Sequence, residues 1–87
     1  MSSSPKSLEK EYRAVRVWFE EDDFLCIELD DGREVKVPLE FYPRLSKASK
    51  IERDQFELIG NGTAIHWPQV DEDLSVQGIV FGIPARF

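Results

Sequence analysis

Three short runs of alternating apolar residues, separated by two polar turns, constrain this chain more than any other feature. In Ala14-Val15-Arg16-Val17-Trp18-Phe19-Glu20, the residues Val15, Val17 and Phe19 share one face by period-two alternation. Trp18 falls on the opposite face with Ala14, Arg16 and Glu20. Glu21-Asp22-Asp23 makes a polar turn, after which Phe24-Leu25-Cys26-Ile27-Glu28-Leu29 puts Leu25, Ile27 and Leu29 on one face. Asp30-Asp31-Gly32 follows, an Asp-Gly step that favours the positive φ of tight hairpins. Glu34-Val35-Lys36-Val37-Pro38-Leu39 alternates again, with Val35, Val37 and Leu39 inward. Strands joined by loops this short form an antiparallel meander over about residues 14–39. Pro38 has no N–H for a ladder, so the third strand ends there or lies at an edge.

The pattern then turns helical. Phe41, Leu45 and Ala48 recur at helical spacing, with Pro43 tolerated only in a first turn. Ser49-Lys50-Ile51-Glu52 reads as a capping box, so a second short helix runs from Lys50 to about Phe56. Glu57-Leu58-Ile59 and Ala64-Ile65-His66-Trp67 flank Gly60-Asn61-Gly62 and predict a second short hairpin that Pro68 stops. Asp71-Glu72-Asp73-Leu74-Ser75 offers acidic N-cap candidates, with Asp71 foremost, before Val76–Phe81, which reads as a helical turn or a strand. Gly78 weakens both assignments. The predicted fold is therefore α+β: the meander, two short helices over about 40–56, the second hairpin, and a C-terminal turn or helix. One domain is expected over residues 13–82, with a flexible segment over 1–12 and a tail over 83–87.

Composition narrows the function classes. The net charge of −6 argues against general nucleic-acid binding, which needs a basic surface, and suits docking onto a basic protein. A single cysteine, Cys26, excludes an internal disulfide and a cysteine-based zinc site, and fits a reducing cytoplasm. The N-terminus lacks the apolar run of a signal peptide, and no stretch approaches ~18 consecutive apolar residues, so no membrane association is expected.

Six blocks in order carry a resemblance: Asp31-Gly32-Arg33, Val37-Pro38-Leu39, Tyr42-Pro43-Arg44-Leu45, Glu57-Leu58-Ile59-Gly60, Ile65-His66-Trp67-Pro68, and Asp71–Val76 with Gly78. Together, from about Ala14 to Gly82, they resemble the bacterial domain-of-unknown-function family numbered 2442. The resemblance implies a small α+β domain that often stands alone and sometimes carries a C-terminal helix-turn-helix. It also implies a small protein partner encoded nearby, in an arrangement like a toxin–antitoxin pair with this family as the antitoxin. The chain ends at Phe87 with no room for a helix-turn-helix, which argues against a direct transcriptional role. The family supplies no catalytic residues to carry over.

The candidate sites follow from residue chemistry. His66 beside Asp71, Glu72 and Asp73 suggests a metal or acid–base site. A lone histidine and a row of diverging carboxylates fall short of three convergent ligands, so a structural histidine bonded to backbone is the simpler expectation and no metal or cofactor is expected. Trp67 is either an exposed anchor or a lid over the sheet, and Trp18 is either covered or part of an interaction patch. Trp18, His66, Trp67, Asp71 and Asp73 are thus the candidate interaction residues. Arg44, Lys47, Lys50 and Arg53 recur every third residue, a basic row that an accessory nucleic-acid-binding role would use. No nucleophile elbow, phosphate-cradling glycine loop or HExxH motif occurs, so no enzymatic activity is expected. The expected function is a protein-interaction module, antitoxin-like, with self-association through the outer strand left open.

Overall fold

The alternation between Ala14 and Leu39 folds as a meander, with one residue out of step. In the computed structural model, which describes residues 11–85, strands β1 (Ala14–Glu20), β2 (Phe24–Leu29) and β3 (Glu34–Pro38) form an antiparallel sheet in that order. The flexible segment expected over 1–12 and the tail expected over 83–87 lie outside the described residues at 1–10 and 86–87. Val17 faces Ile27 and Phe19 faces Leu25, as alternation predicts. The register shifts between Ala14 and Arg16, however, so Ala14 pairs with Leu29 and Arg16 with Glu28. The extra residue exchanges the faces at the start of β1: Ala14 is 3% exposed and Val15 56%. The expected inward Val15 and outward Ala14 are therefore reversed.

Helical structure after β3 comes in single turns. A 3-10 turn at Leu39–Phe41 precedes α1 (Pro43–Ser46) and α2 (Lys50–Arg53). Tyr42 (φ −126°, ψ 86°) interrupts what the spacing predicts as one helix, because the ring of Pro43 clashes with a helical residue before it. The capping box at α2 forms as predicted. The Glu52 amide donates to Ser49 Oγ (3.1 Å), and the Ser49 amide donates to Glu52 Oε1 (2.9 Å).

The predicted second hairpin is part of a second meander. Strands β4 (Glu57–Ile59), β5 (Ala64–Trp67) and β6 (Glu72–Ser75) form another antiparallel sheet in that order. The acidic triplet does not cap a helix: Glu72 and Asp73 belong to β6, and Asp71 turns with φ 55°. Ser75 caps α3 (Val76–Val80) instead, accepting from the Gly78 amide at 3.0 Å. Gly78 makes room for that cap, since a Cβ there would lie 2.9 Å from Ser75 Oγ.

The core lies between the inner faces of the two sheets and the short helices. Leu25 and Ile27 of β2, Leu45 of α1, Ile65 and Trp67 of β5, and Val76 of α3 are all fully buried. Tyr12 and Ala85 pack against this cluster, and the Ala85 amide donates to Phe41 O at 3.0 Å, so packed structure runs past the boundary expected at residue 82. No helix among the described residues is long and apolar enough to cross a membrane.

Candidate functional site

Alternation that sends Val17, Ile27 and Val37 into the core sends another set outward from the first sheet. Trp18, Cys26 and Lys36 lie in one cross-strand row, Glu20, Phe24 and Pro38 in the next, and Arg16, Glu28 and Glu34 in a third. Charged side chains lie across this face. Arg16 bonds Glu28 at 3.0 Å and lies 3.5 Å from Glu34, with its guanidinium carbon 4.0 Å from the Trp18 ring centroid. Lys36 pairs with Glu20 at 2.8 Å and sits 4.7 Å from the centroid of Phe24. Beneath them Cys26 is 1% exposed. Burial first, then the Glu20 charge, pushes its thiol pKa up, so the sulfur stays protonated and inert. Exposed ion pairs of this kind contribute only ~0–1 kcal/mol each, so an incoming charged surface can exchange with them at little cost.

Phe24 and Pro38 continue this face into a cleft of about 530 Å³ at the β1–β2 turn, where Asp22, Asp23 and Glu40 are the charged walls. All three carboxylates are exposed. Phe24 and Pro38 thus stand among acidic groups, with Trp18 in the neighbouring cross-strand row.

The other sequence-predicted residues are dispersed. On the outer face of the second sheet, His66 lies in register between Glu57 and Asp73, and its Nδ1 pairs with the Asp73 carboxylate rather than with backbone. Asp71 is exposed in the turn before β6, with its carbonyl accepting from Arg44 Nη1 at 2.7 Å. Among the described residues no three His, Cys, Asp or Glu side chains converge in a way that could hold a metal. Trp67 is not an anchor: it is fully buried, and its Nε1 donates to Arg53 O at 3.0 Å. Nor does the basic row form one face. Arg44, Lys47 and Lys50 are exposed, whereas Arg53 is 5% exposed, donates to Ala48 O at 3.1 Å and pairs with Asp22 at 3.0 Å. The break at Ser49 starts a new helix, so three-residue spacing no longer maps onto one stripe.

Of the sequence-predicted site residues, only Asp73 lines a second cleft. This cleft encloses about 370 Å³, with Tyr42 and Glu72 among its walls. Burial first, and then the charge of Glu72, pushes the Tyr42 hydroxyl up to about 12. Burial likewise raises the pKa of Glu72, opposed by the hydrogen bond from the Asp73 amide and by Arg44. In the sequence Glu72 reads as one more surface carboxylate in an acidic triplet. Only its pairing with Trp67 across β5 and β6, on the core side, could have flagged it.

A family model described as a protein of unknown function (DUF2442) matches residues 14–85. No curated protein gives a significant match. Among solved structures, the chain is similar to a crystal structure of a protein of unknown function from Rhodospirillum rubrum, with 27% identity and a TM-score of 0.76 over 88% of this chain and 94% of that one. It also shares its fold with an uncharacterized protein from Chromobacterium violaceum solved by solution NMR, with 19% identity and a TM-score of 0.73 over 97% of this chain and 83% of that one.

Proposed function

We propose, from the premise that the chain belongs to the DUF2442 family of proteins of unknown function, that it is a non-enzymatic interaction module that docks a small basic protein. One observation supports this choice: Phe24 and Pro38, one cross-strand row from Trp18, line a cleft whose exposed charges, Asp22, Asp23 and Glu40, are all acidic. Aromatic and proline side chains supply apolar contact area at low entropic cost, and the carboxylates steer and orient a cationic partner. The chain's net charge of −6 adds long-range attraction of the same sign. Incoming Lys or Arg groups exchange with Arg16 and Lys36 at their carboxylates and uncover the two rings. Masking of a basic partner in this way is what an antitoxin-like half of a pair does, and the partner is the small protein encoded beside it.

Co-expression with the neighbouring gene product tests this. The two chains should co-purify at about 0.1 M salt and separate towards 1 M, where screening shortens to ~3 Å. Trp18→Ala should abolish co-purification while leaving the fold intact. Absence of a complex at low salt, or a complex indifferent to Trp18→Ala, would overturn the proposal.

A further inference from the structure

Strand β6 is the outer strand of the second sheet, and its direction of hydrogen bonding can be counted from the register. Opposed residues of an antiparallel ladder alternate between pairs that exchange N–H···O bonds and pairs that do not. The Val76 amide donates to Thr63 O at 2.9 Å, so the bonded positions fall on Thr63–Val76, Ile65–Leu74 and Trp67–Glu72. The pairs His66–Asp73 and Ala64–Ser75 lie between them, and the backbone N–H and C=O of Asp73 and Ser75 therefore point away from β5. The Asp73 amide bears this out, donating to Glu72 Oε1 at 3.2 Å. None of the described groups bonds the Asp73 carbonyl or the Ser75 amide, and both residues are exposed. Unpaired groups along a strand edge are a template for a further strand. This edge also borders a cleft, whose walls include Leu74, Ile79, Ile83 and Pro84.

We propose that an extended peptide segment of a partner adds to the β6 edge in parallel, with an aliphatic residue opposite Leu74 and a basic residue just before it. In a parallel pair one residue both donates to the carbonyl before its opposite number and accepts from the amide after it. Asp73 C=O and Ser75 N–H flank Leu74 and offer that combination. An antiparallel segment would also need the Asp73 amide, held by Glu72, and the Ser75 carbonyl, which as the cap of α3 accepts its first helical bond. The open stretch is one bridge long, because Arg44 Nη1 already holds the Asp71 carbonyl at 2.7 Å. Leu74 packs on the core side, so the side chain opposite it enters the cleft beside Ile79, Ile83 and Pro84. The preceding side chain points to the other face and joins the row of Glu57, His66 and Asp73. Asp73 is 68% exposed there and Glu57 is exposed too, which favours a cationic residue at that position.

Titration of the full chain with an N-acetylated, C-amidated pentapeptide, serine–lysine–isoleucine–threonine–serine, followed by NMR, tests the proposal. Saturable shifts should concentrate at Asp73, Leu74, Ser75 and Ile83. The Ser75 amide should exchange freely with solvent in the unbound chain and become protected on binding. N-methylation of the isoleucine removes the N–H that meets Asp73 C=O and should weaken binding by about tenfold. N-methylation of the threonine, whose N–H faces away in the parallel arrangement, should leave affinity within about twofold. Glutamate in place of the lysine, or Asp73→Asn in the protein, should weaken binding several-fold. Equal binding of the isoleucine-methylated peptide would overturn the proposal, as would a loss on threonine methylation alone, which marks antiparallel pairing. A Ser75 amide already protected in the unbound chain would show the edge covered by the chain itself and overturn it too. Trp18→Ala should leave peptide binding unchanged, so this site and the docking face of the first sheet can fail separately.

Discussion

The place where the second sheet meets the first can be weighed by adding one methyl group. Gly62 has φ +87°, and a Cβ built there would lie 2.5 Å from the Ala14 carbonyl oxygen. Real Cβ atoms keep at least 3.0 Å from such an atom, so Gly62→Ala must part the two segments by half an ångström or more. Neither side yields easily. Ala14 is paired with Leu29, and the 3-10 turn holding Gly62 is closed by the Thr63 amide on Gly60 O (3.2 Å). Overpacking of this kind costs ~1–3 kcal/mol. Gly32 supplies the control: its φ of +93° is nearly the same, yet a Cβ there meets nothing within 4 Å. Each alanine carries the left-handed penalty of ~1–2 kcal/mol, partly offset by ~0.4–1 kcal/mol from a less flexible unfolded chain. Gly32→Ala should therefore cost ~1 kcal/mol, and Gly62→Ala ~2–4 kcal/mol. Against a whole-domain stability of ~4–13 kcal/mol the second is severe. Urea unfolding followed by tryptophan fluorescence reads the difference. With m near ~1 kcal/mol/M, Gly62→Ala should lower the midpoint by about 2 M more than Gly32→Ala. Midpoints that agree within about 0.3 M would mean that the contact at Ala14 is not rigid, and would refute the reasoning.

Arg53→Ala should cost ~2–4 kcal/mol, because it removes a buried guanidinium bonded to Ala48 O and the packing beneath Phe19, 5.8 Å from the ring centroid. Asp22→Asn, at a side chain 81% exposed, should cost under ~1 kcal/mol, and denaturation of both variants checks the asymmetry. Tyr42 predicts an alkaline response. Its folded pKa of about 12 exceeds the unfolded value of ~10, so its stability contribution is complete below pH ~10 and is lost as pH rises through the folded value. The loss is on the order of 2–3 kcal/mol, and Tyr42→Phe should remove that part of the stability–pH curve between about pH 10 and 12. Near neutral pH the same variant should unfold at equal or higher urea concentration, since it deletes a buried hydroxyl without a partner.

Features encoded within a few residues are legible in the sequence alone. The three alternations and their turns place β1 to β3, Pro38 closes β3, Ser49 and Glu52 announce α2, and Gly60-Asn61-Gly62 announces the β4–β5 turn. The misses share one cause. Val15 and Ala14 exchange faces because a bulge adds one residue, and the alternating pattern carries no mark of it. The acidic triplet resembles a cap because Asp and Glu favour helix starts, yet pairing with β5 makes Glu72 and Asp73 a strand. Ser75, two residues on from Asp73, holds the cap instead.

At the site the division is the same. Trp18 is legible as an outward residue of β1, because period two decides its face locally. Whether anything covers it, and that Phe24, Pro38 and Glu40 join at a cleft beside it, depends on how three strands and a turn pack together. Arg53 and Glu72, both charged, read as surface residues in sequence, since an isolated charge strongly prefers water. By itself the sequence determined strands β1 to β5 with the turns inside their hairpins, the α2 cap and the acidic balance, all of which act over a few residues or none. Only the tertiary structure decided that Trp67 is buried, that Arg53 leaves the basic row, and that Tyr42 and Glu72 share a cleft. Burial belongs to what packs against a residue from distant segments, and no local pattern of side chains encodes which segments those will be.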